Sequence, residues 1–266
     1  MEGPIRVVCA ANDAYAKHLA VMLTSLLRNR KSATPIAISV IDGGGLSPKN
    51  KARLRRAVKP YGAPLDFLRF DNAKLKGVTR AKVYKRYGKE AFYRIFIPEL
   101  FGRHVKKAIY LDSDMIVKGD IARLWRVPLG GAFVAAADDP SAAKMSRKLG
   151  LPPGRYFNSG VLVIDVERWR RHRIATKVIR YILRHAKDIR FPDQDGLNAV
   201  LHGKTKRLPI EWNCPAFRSH LHPKLRILHF MTPKKPWNRN PRGKRLYLQY
   251  AAKTVWTDGA AEGAAF

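Results

Sequence analysis

The sequence predicts an α/β fold with a mostly parallel central sheet, and three observations carry that expectation. The chain opens with a strand, a tight polar turn and a helix. Short apolar runs then alternate with helical spacing along most of its length. The run Ala108–Val117 (AIYLDSDMIV) reads as a strand buried on both faces, the kind that parallel sheets contain. With 266 residues, 46% of them apolar, the chain can bury a substantial core as one large α/β unit.

In order, Ile5–Ala11 reads as the first strand, Asn12 to Ala14 as the turn, and Tyr15–Arg28 as a helix with Leu19, Met22, Leu23, Leu26 and Leu27 at helical spacing. Pro35–Asp42 is the second strand, closed by Gly43-Gly44-Gly45. Ser47 then caps a basic helix that has Pro48 at its first position and runs towards Tyr61. Leu65–Phe70 is the third strand, and Asn72–Gly88, polar and without periodicity, reads as a loop. Glu90–Leu100 is helical despite Pro98 and places Arg94 among Phe92, Tyr93, Ile95, Phe96 and Ile97. A surface arginine with a packed stem is one reading of Arg94; a charge in so apolar a segment favours a phosphate-facing role.

Lys107–Asp114 is the next strand, followed by a short helix over Gly119–Trp125 and a strand over Ala132–Asp138. Residues two apart on a strand point the same way, so Asp112 and Asp114 should present both carboxylates to one side. That side lies at the carboxyl end of the strand, where α/β sheets hold their ligands. Two carboxylates forced together invite a divalent cation.

Phe157–Trp169 is strand-like, with Gly160 marking a close backbone approach and Asn158 and Ser159 beside it. From Arg170 the pattern is helical, and Arg170, Arg173, Lys177, Arg180, Arg184 and Lys187 fall at 3-4-3-4-3 spacing on one face. A solvated helix face is the plain reading; the stripe without an acid is also a candidate for peripheral contact with an anionic membrane through residues 170–187. Asp193-Gln194-Asp195 precedes a short helix around Leu197–Leu201. Leu225–Phe230 is a last buried strand with His229 near its end, and the chain turns basic and loop-like from Asn238, with a frayed tail over Asp258–Phe266.

Fifty-two Lys and Arg against 20 Asp and Glu give a formal charge of +32, which argues for an anionic partner, surface or milieu without naming one. The apolar runs fall short of the ~20 residues of a spanning helix. Two cysteines and no signal-like N-terminus make the cytoplasm the expected location, with the inner membrane face as a peripheral site.

Five blocks taken together resemble glycosyltransferase family 8, the retaining nucleotide-sugar transferases: VVCAANDAYAKHLAVMLTSLLRN, AIYLDSDMIV, FNSGVLVIDVERWR, FPDQDGLNAVLHGK and HFMTPKKPW. The resemblance implies a GT-A fold, a Rossmann-like nucleotide half fused to an acceptor half, over residues 1–240, with 241–266 a short basic C-terminal segment. It implies a metal held by Asp112, Asp114 and His229, Mn²⁺ by donor chemistry with Mg²⁺ the alternative. It implies a UDP-sugar, galactose or glucose, as donor and an anionic glycan or lipid-linked hydroxyl as acceptor. Nucleotide-sugar contacts would come from Ala10, Ala11, Asn12, Tyr15, Arg94, Asp112, Ser113, Thr232 and Lys235, and the sugar's anomeric carbon would lie near Asp193, Gln194 and Asn158. The chain departs from the family pattern at Asn12, where Asp is common, at Ala14, where Asn is common, and at Thr232, where Gly is common.

Two rival classes fit parts of the sequence. A haloacid-dehalogenase-like phosphatase would also use a D-x-D motif, but early in its chain and with Thr where Ile116 stands, and it does not account for the Lys-Pro-Trp segment. A nucleic-acid binder would explain the charge, yet the basic residues are dispersed rather than gathered around aromatic platforms, so specific nucleic-acid binding is not expected.

Overall fold

The computed structural model describes residues 3–78, 88–238 and 242–256. The first half alternates strand and helix: β1 (Ile5–Ala10), α1 (Asp13–Arg28), β2 (Ile36–Asp42), α2 (Pro48–Val58) and β3 (Leu65–Arg69). Two caps set the helix starts, Asn12 accepting from the Tyr15 amide and Ser47 from that of Asn50. The expected loop after β3 is described only to residue 78, where Asn72–Leu75 forms a 3-10 turn; its remainder to residue 87 lies outside the described residues. The predicted helix over Glu90–Leu100 is present in three pieces: α3 (Glu90–Tyr93), a 3-10 turn (Arg94–Phe96) and α4 (Ile97–Leu100).

The second half continues with β4 (Lys107–Leu111), β5 (Met115–Val117), α5 (Ile121–Trp125), β6 (Val134–Ala137), α6 (Ala143–Lys148), β7 (Val161–Asp165), α7 (Val166–Arg171), α8 (Ile174–Arg184), α9 (Pro192–Val200), β8 (Thr205–Leu208), β9 (Cys214–Pro215), β10 (Ile227–His229) and α10 (Lys244–Ala251). Seven strands form the main sheet in the order β3-β2-β1-β4-β7-β6-β8. It is mostly parallel, as expected, β7 alone running against β4 and β6. β1 buries both faces. Val7 and Cys9 pack with α1 residues such as Leu19 and Leu23, while Val8 and Ala10 pack with Phe92, Ile95 and Tyr110.

Three expectations are corrected. Ala108–Val117 is two strands in two sheets. β4 ends at Leu111, where the Asp112 amide donates to Gly160 O (2.9 Å); the chain bends through Asp112-Ser113-Asp114 and enters a small sheet, β5-β10-β9. The carboxylates therefore converge through a bend rather than by strand alternation. Likewise, Asp193-Gln194-Asp195 does not precede a helix but forms the first turn of α9, which starts at Pro192, a residue suited to the first helical position. The cationic wheel is also broken: α7 ends at Arg171, Arg173 takes a left-handed φ of 51°, and Lys187 lies beyond α8. Arg170 is tied up besides, donating to the carbonyls of Pro98, Phe101 and Gly102.

The C-terminal segment, expected to be loop-like, contributes α10, whose Tyr247 and Ala251 bury against Val21, Ile116 and Phe230. The tail Asp258–Phe266 lies outside the described residues. No helix among the described residues is long and apolar enough to cross a membrane.

Candidate active site

β4, β5 and β10 build the centre of the site. Antiparallel pairing sets His229 opposite Met115, and the Phe230 amide donates to Asp114 O (3.0 Å), so the imidazole arrives beside the two aspartates. Ser113 Oγ donates to Ala10 O (2.9 Å), pinning the bend to the end of β1. Ligand atoms of Asp112, Asp114 and His229 lie within 4.8 Å of one another, with His229 Nε2 3.3 Å from Asp114 Oδ1 and 3.7 Å from Asp112 Oδ2. Two carboxylates and an imidazole are donors that Mn²⁺ accepts readily, and Mg²⁺ takes the nitrogen less willingly. The set fits a divalent cation.

Gly160 is part of this geometry. A Cβ there would meet His229 Cε1 at 2.5 Å and Asp112 Oδ2 at 2.7 Å, so the close backbone approach expected of a glycine in this strand-like run is present, against two of the three residues that could hold a cation. Lys235 donates to Asp114 Oδ2 and to Phe230 O (2.6 Å). Burial disfavours the Asp114 carboxylate, but His229 and Lys235 outweigh it and hold the carboxyl well below its usual range.

Arg94 is buried, and its guanidinium joins two groups of acids. Nη2 lies 2.9 Å from Asp112 Oδ1, Nη1 donates to Ser159 O (2.8 Å) and Oγ (3.0 Å), and Nε lies 3.3 Å from Asp193 Oδ2. The ring of Tyr110 lies under it at 4.7 Å, and the Tyr110 hydroxyl donates to Asp112 Oδ1 (2.8 Å). Burial opposes the charged guanidinium, yet Asp112 and the groups around it raise its pKa above the usual value. For Asp193 burial wins, and the carboxyl lies above its ordinary range in spite of Arg94.

Asn158, Asp193 and Gln194 come together as expected, joined by residues the sequence did not single out. Gln194 Oε1 accepts from Asn158 Nδ2 and from the Ser159 amide, each at 3.0 Å, and its Nε2 donates to Asp139 Oδ2 (3.3 Å). Ser159 Oγ donates to Asp193 Oδ2 (3.0 Å). Asp139 lies two residues past the end of β6, and a position just past a strand's carboxyl end was a signal that could have found it. Asn213 also joins the network, and no sequence feature marked it. Asp195 does something else: both its oxygens are taken, by the Tyr156 hydroxyl and by the amides of Arg190 and Phe191, which anchors the start of α9.

Two cavities flank this network. One of about 270 Å³ is lined by Ala10, Ala11, Asn12, Tyr15, Arg94, Asp112 and Ser113, all expected there, and by Glu90 and Tyr110, which were not. Tyr15 is partly exposed and stands edge-on to Trp237, whose ring stacks on His18 at 3.4 Å. Asn12 spends its carbonyl capping α1 at the Tyr15 amide. Thr232 and Lys235 lie outside the cavity lining, Thr232 donating to Lys234 O (3.3 Å). The other cavity, about 360 Å³, opens beside Asp139 and is lined by Asp138, Tyr156, Arg207, Arg218 and His222.

Comparison with known proteins agrees with this geometry. The profile of glycosyl transferase family 8 matches residues 6–241. General stress protein A of Bacillus subtilis is 32% identical over 95% of this chain and 94% of its own length. A lipopolysaccharide 1,2-glucosyltransferase of Escherichia coli K12 is 30% identical over 64% of this chain, a match that spans 55% of that protein. Among solved structures, the galactosyltransferase LgtC in complex with donor and acceptor sugar analogues superimposes with a TM-score of 0.83 at 24% identity, covering 94% of this chain and 96% of that one, and it shows the same GT-A type of α/β fold. With a match over nearly its whole length, the chain belongs to glycosyl transferase family 8.

Proposed function

We propose that this enzyme, a retaining hexosyltransferase, moves galactose or glucose from a UDP-sugar to a hydroxyl of a glycan or lipid-linked acceptor with the help of a divalent cation. One observation carries the reading: Asp112, Asp114 and His229 converge at the edge of a cavity whose other walls are the end of β1, Tyr15 and Arg94. We assign the enzyme to residues 1–240, with the basic segment 241–266 packed onto it through α10. The two rival classes lose their footing, since the family match over residues 6–241 spans both the D-x-D pair and the Lys-Pro-Trp segment.

In this reading the nucleotide enters along Ala10, Ala11 and Asn12, with its base against Tyr15 and its diphosphate towards Ser113, Thr232 and Lys235. Asp112, Asp114 and His229 hold Mn²⁺, or Mg²⁺ in its place. The bound cation supplies positive charge that stabilises the departing diphosphate. Arg94 keeps Asp112 and Asp193 in place rather than touching phosphate, because its nitrogens are already engaged.

The anomeric carbon then lies beside Gln194. A covalent intermediate needs a free carboxylate, and the nearby acids are committed: Asp193 to Arg94 and Ser159, Asp195 to Tyr156 and two amides. Same-face attack fits better. The acceptor hydroxyl enters from the cavity beside Asp139 and loses its proton to a phosphate oxygen of the leaving UDP. Gln194, oriented by Asn158 and the Ser159 amide, places its dipole against the developing charge.

The test is a screen of UDP-sugars with Mn²⁺, reading released UDP by mass spectrometry, with Asp114→Ala as control. Release from UDP-galactose or UDP-glucose that needs both Mn²⁺ and Asp114 supports the proposal. No release from any UDP-sugar, or release indifferent to Asp114, ends it.

A further inference from the structure

The imidazole of His229 has two nitrogens, and only Nε2 faces the carboxylates. Nδ1 lies 2.8 Å from Asn213 Oδ1. Which nitrogen carries the proton follows from a chain of amides whose polarity the backbone fixes.

The amides of Ser159 and Gly160 can only donate. The first bonds Gln194 Oε1 and the second bonds Asn158 Oδ1, both at 3.0 Å, so those two side-chain atoms are carbonyl oxygens. Asn158 then turns its NH₂ to Gln194 Oε1 (3.0 Å), and Asn213 must offer its own NH₂ to Asn158 Oδ1, 2.9 Å away. The remaining end of Asn213 is its carbonyl oxygen, and that end faces His229. A ring nitrogen facing an acceptor carries a hydrogen, so Nδ1–H donates to Asn213 and Nε2 is the nitrogen left facing the carboxylate pair. Flipping Asn213 would set oxygen against oxygen at Asn158.

We propose that Asn213 is a positioning residue for the cation site: it fixes His229 as the Nδ1–H form, committing Nε2 to the metal, and through its NH₂ it steadies Asn158 and hence Gln194. The inference rests on the cation reading above. The fold builds this contact deliberately into the small sheet. Asn213 is buried and ends the 3-10 turn Ile210–Asn213, and the next strand, β9, pairs with β10 so that Pro215 lies beside His229. A partner of this kind, holding the far nitrogen of a ligating histidine, typically accounts for about 10–100-fold in metal affinity.

Two substitutions separate the two ends of the amide. Asn213→Leu removes both. Asn213→Asp keeps an acceptor for Nδ1–H and removes the donor to Asn158. The probe is Mn²⁺ alone, followed through the electron paramagnetic resonance of the free ion, with the nitrogen hyperfine coupling of bound Mn²⁺ as the signature of His229. Asn213→Leu should bind Mn²⁺ about 10–100-fold more weakly and lose or alter that coupling. Asn213→Asp should retain the coupling and bind within about threefold of the unaltered enzyme or tighter, while kcat for UDP release falls through the loosened Asn158–Gln194 arm.

Wild-type affinity and coupling in Asn213→Leu would overturn the proposal. So would Asn213→Asp losing Mn²⁺ while remaining folded, a comparison that stands even if Asn213→Leu does not fold. The reading of the site itself fails separately: then the unaltered enzyme binds no Mn²⁺, or binds it as well after His229→Ala, and the role of Asn213 falls with it.

Discussion

On the inner side of the cleft, Arg94, Asn158, Asp193, Gln194 and Asn213 are all 7% exposed or less, and each hydrogen-bonds at least one other member or Ser159 between them. On the outer side, Tyr15 is 37% exposed, Asn12 caps a helix, and Thr232 bonds its own loop. The inner side resembles a solved polar core, in which every amide orientation follows from its neighbours. The outer side is a surface with an aromatic face. Under the proposed function, the difference is what transfer chemistry needs: groups near the anomeric carbon and the cation must hold their geometry before the substrate arrives, whereas a nucleotide can be gripped by surfaces that yield. A perturbation on the inner side should therefore cost turnover, and one on the outer side affinity.

The largest break in that contrast is expected from Gly160→Ala. Its Cβ must displace His229 or Asp112, both fixed by buried partners, so the ligand set cannot open gracefully. A misplacement of this size costs about 100-fold or more in kcat/KM. Mn²⁺ binding should weaken with it. A Gly160→Ala enzyme with wild-type Mn²⁺ affinity and turnover would show the inner side to be far softer than its hydrogen bonds imply.

Gln194→Ala comes next. It removes an oriented amide without touching the cation ligands, so kcat should fall by about 100-fold, in the range of a lost preorganised dipole, with Mn²⁺ affinity intact. Steady-state kinetics and Mn²⁺ titration check the two halves. Trapping a glycosyl-enzyme on Asp193 or Asp195 would replace same-face attack with a covalent route.

How much of this was legible depends on whether a residue's work is local. Strand–turn–helix order, the mostly parallel sheet, the Ser47 cap and Gly160 were readable because apolar runs, caps and a strand glycine leave marks within a few positions. The Asp112-Ser113-Asp114 bend was not. The apolar residues on either side of it look like one strand, and only the pairing of β5 with a segment about a hundred residues downstream divides them. The broken cationic wheel shows the same limit: spacing alone carried Arg170 and Lys187 onto one face, while backbone carbonyls and a left-handed Arg173 took them off it. Asn213 was silent for a similar reason. A buried amide works through partners distant in the chain and repeats no local pattern.

On the outer side, Tyr15→Ala should raise KM for the UDP-sugar by about three- to tenfold, the worth of one aromatic contact, and leave kcat near its wild-type value. A kcat loss with unchanged KM would mean that Tyr15 belongs with the inner residues after all.

The smallest effect concerns what stands behind Tyr15. His18 stacks on Trp237 and shares a hydrogen bond with the Tyr247 hydroxyl (2.7 Å). Burial, helped by Lys17, lowers its pKa from 6.5 to about 4. A histidine depressed in this way binds its proton more readily in the unfolded chain than in the folded one. Its contribution to stability is therefore whole above the unfolded value and is lost as pH falls from 6.5 towards about 4. His18→Phe keeps a ring against Trp237 but cannot titrate. Its Tm deficit at neutral pH should accordingly narrow by about 2–4 °C at mildly acidic pH, because only the unaltered enzyme loses stability through this group. Parallel Tm curves for the two proteins across that window would mean that the ring is protonated in place, with its charge carried by the Trp237 face, and that this aromatic stack, like the rest of the outer side, yields instead of resisting.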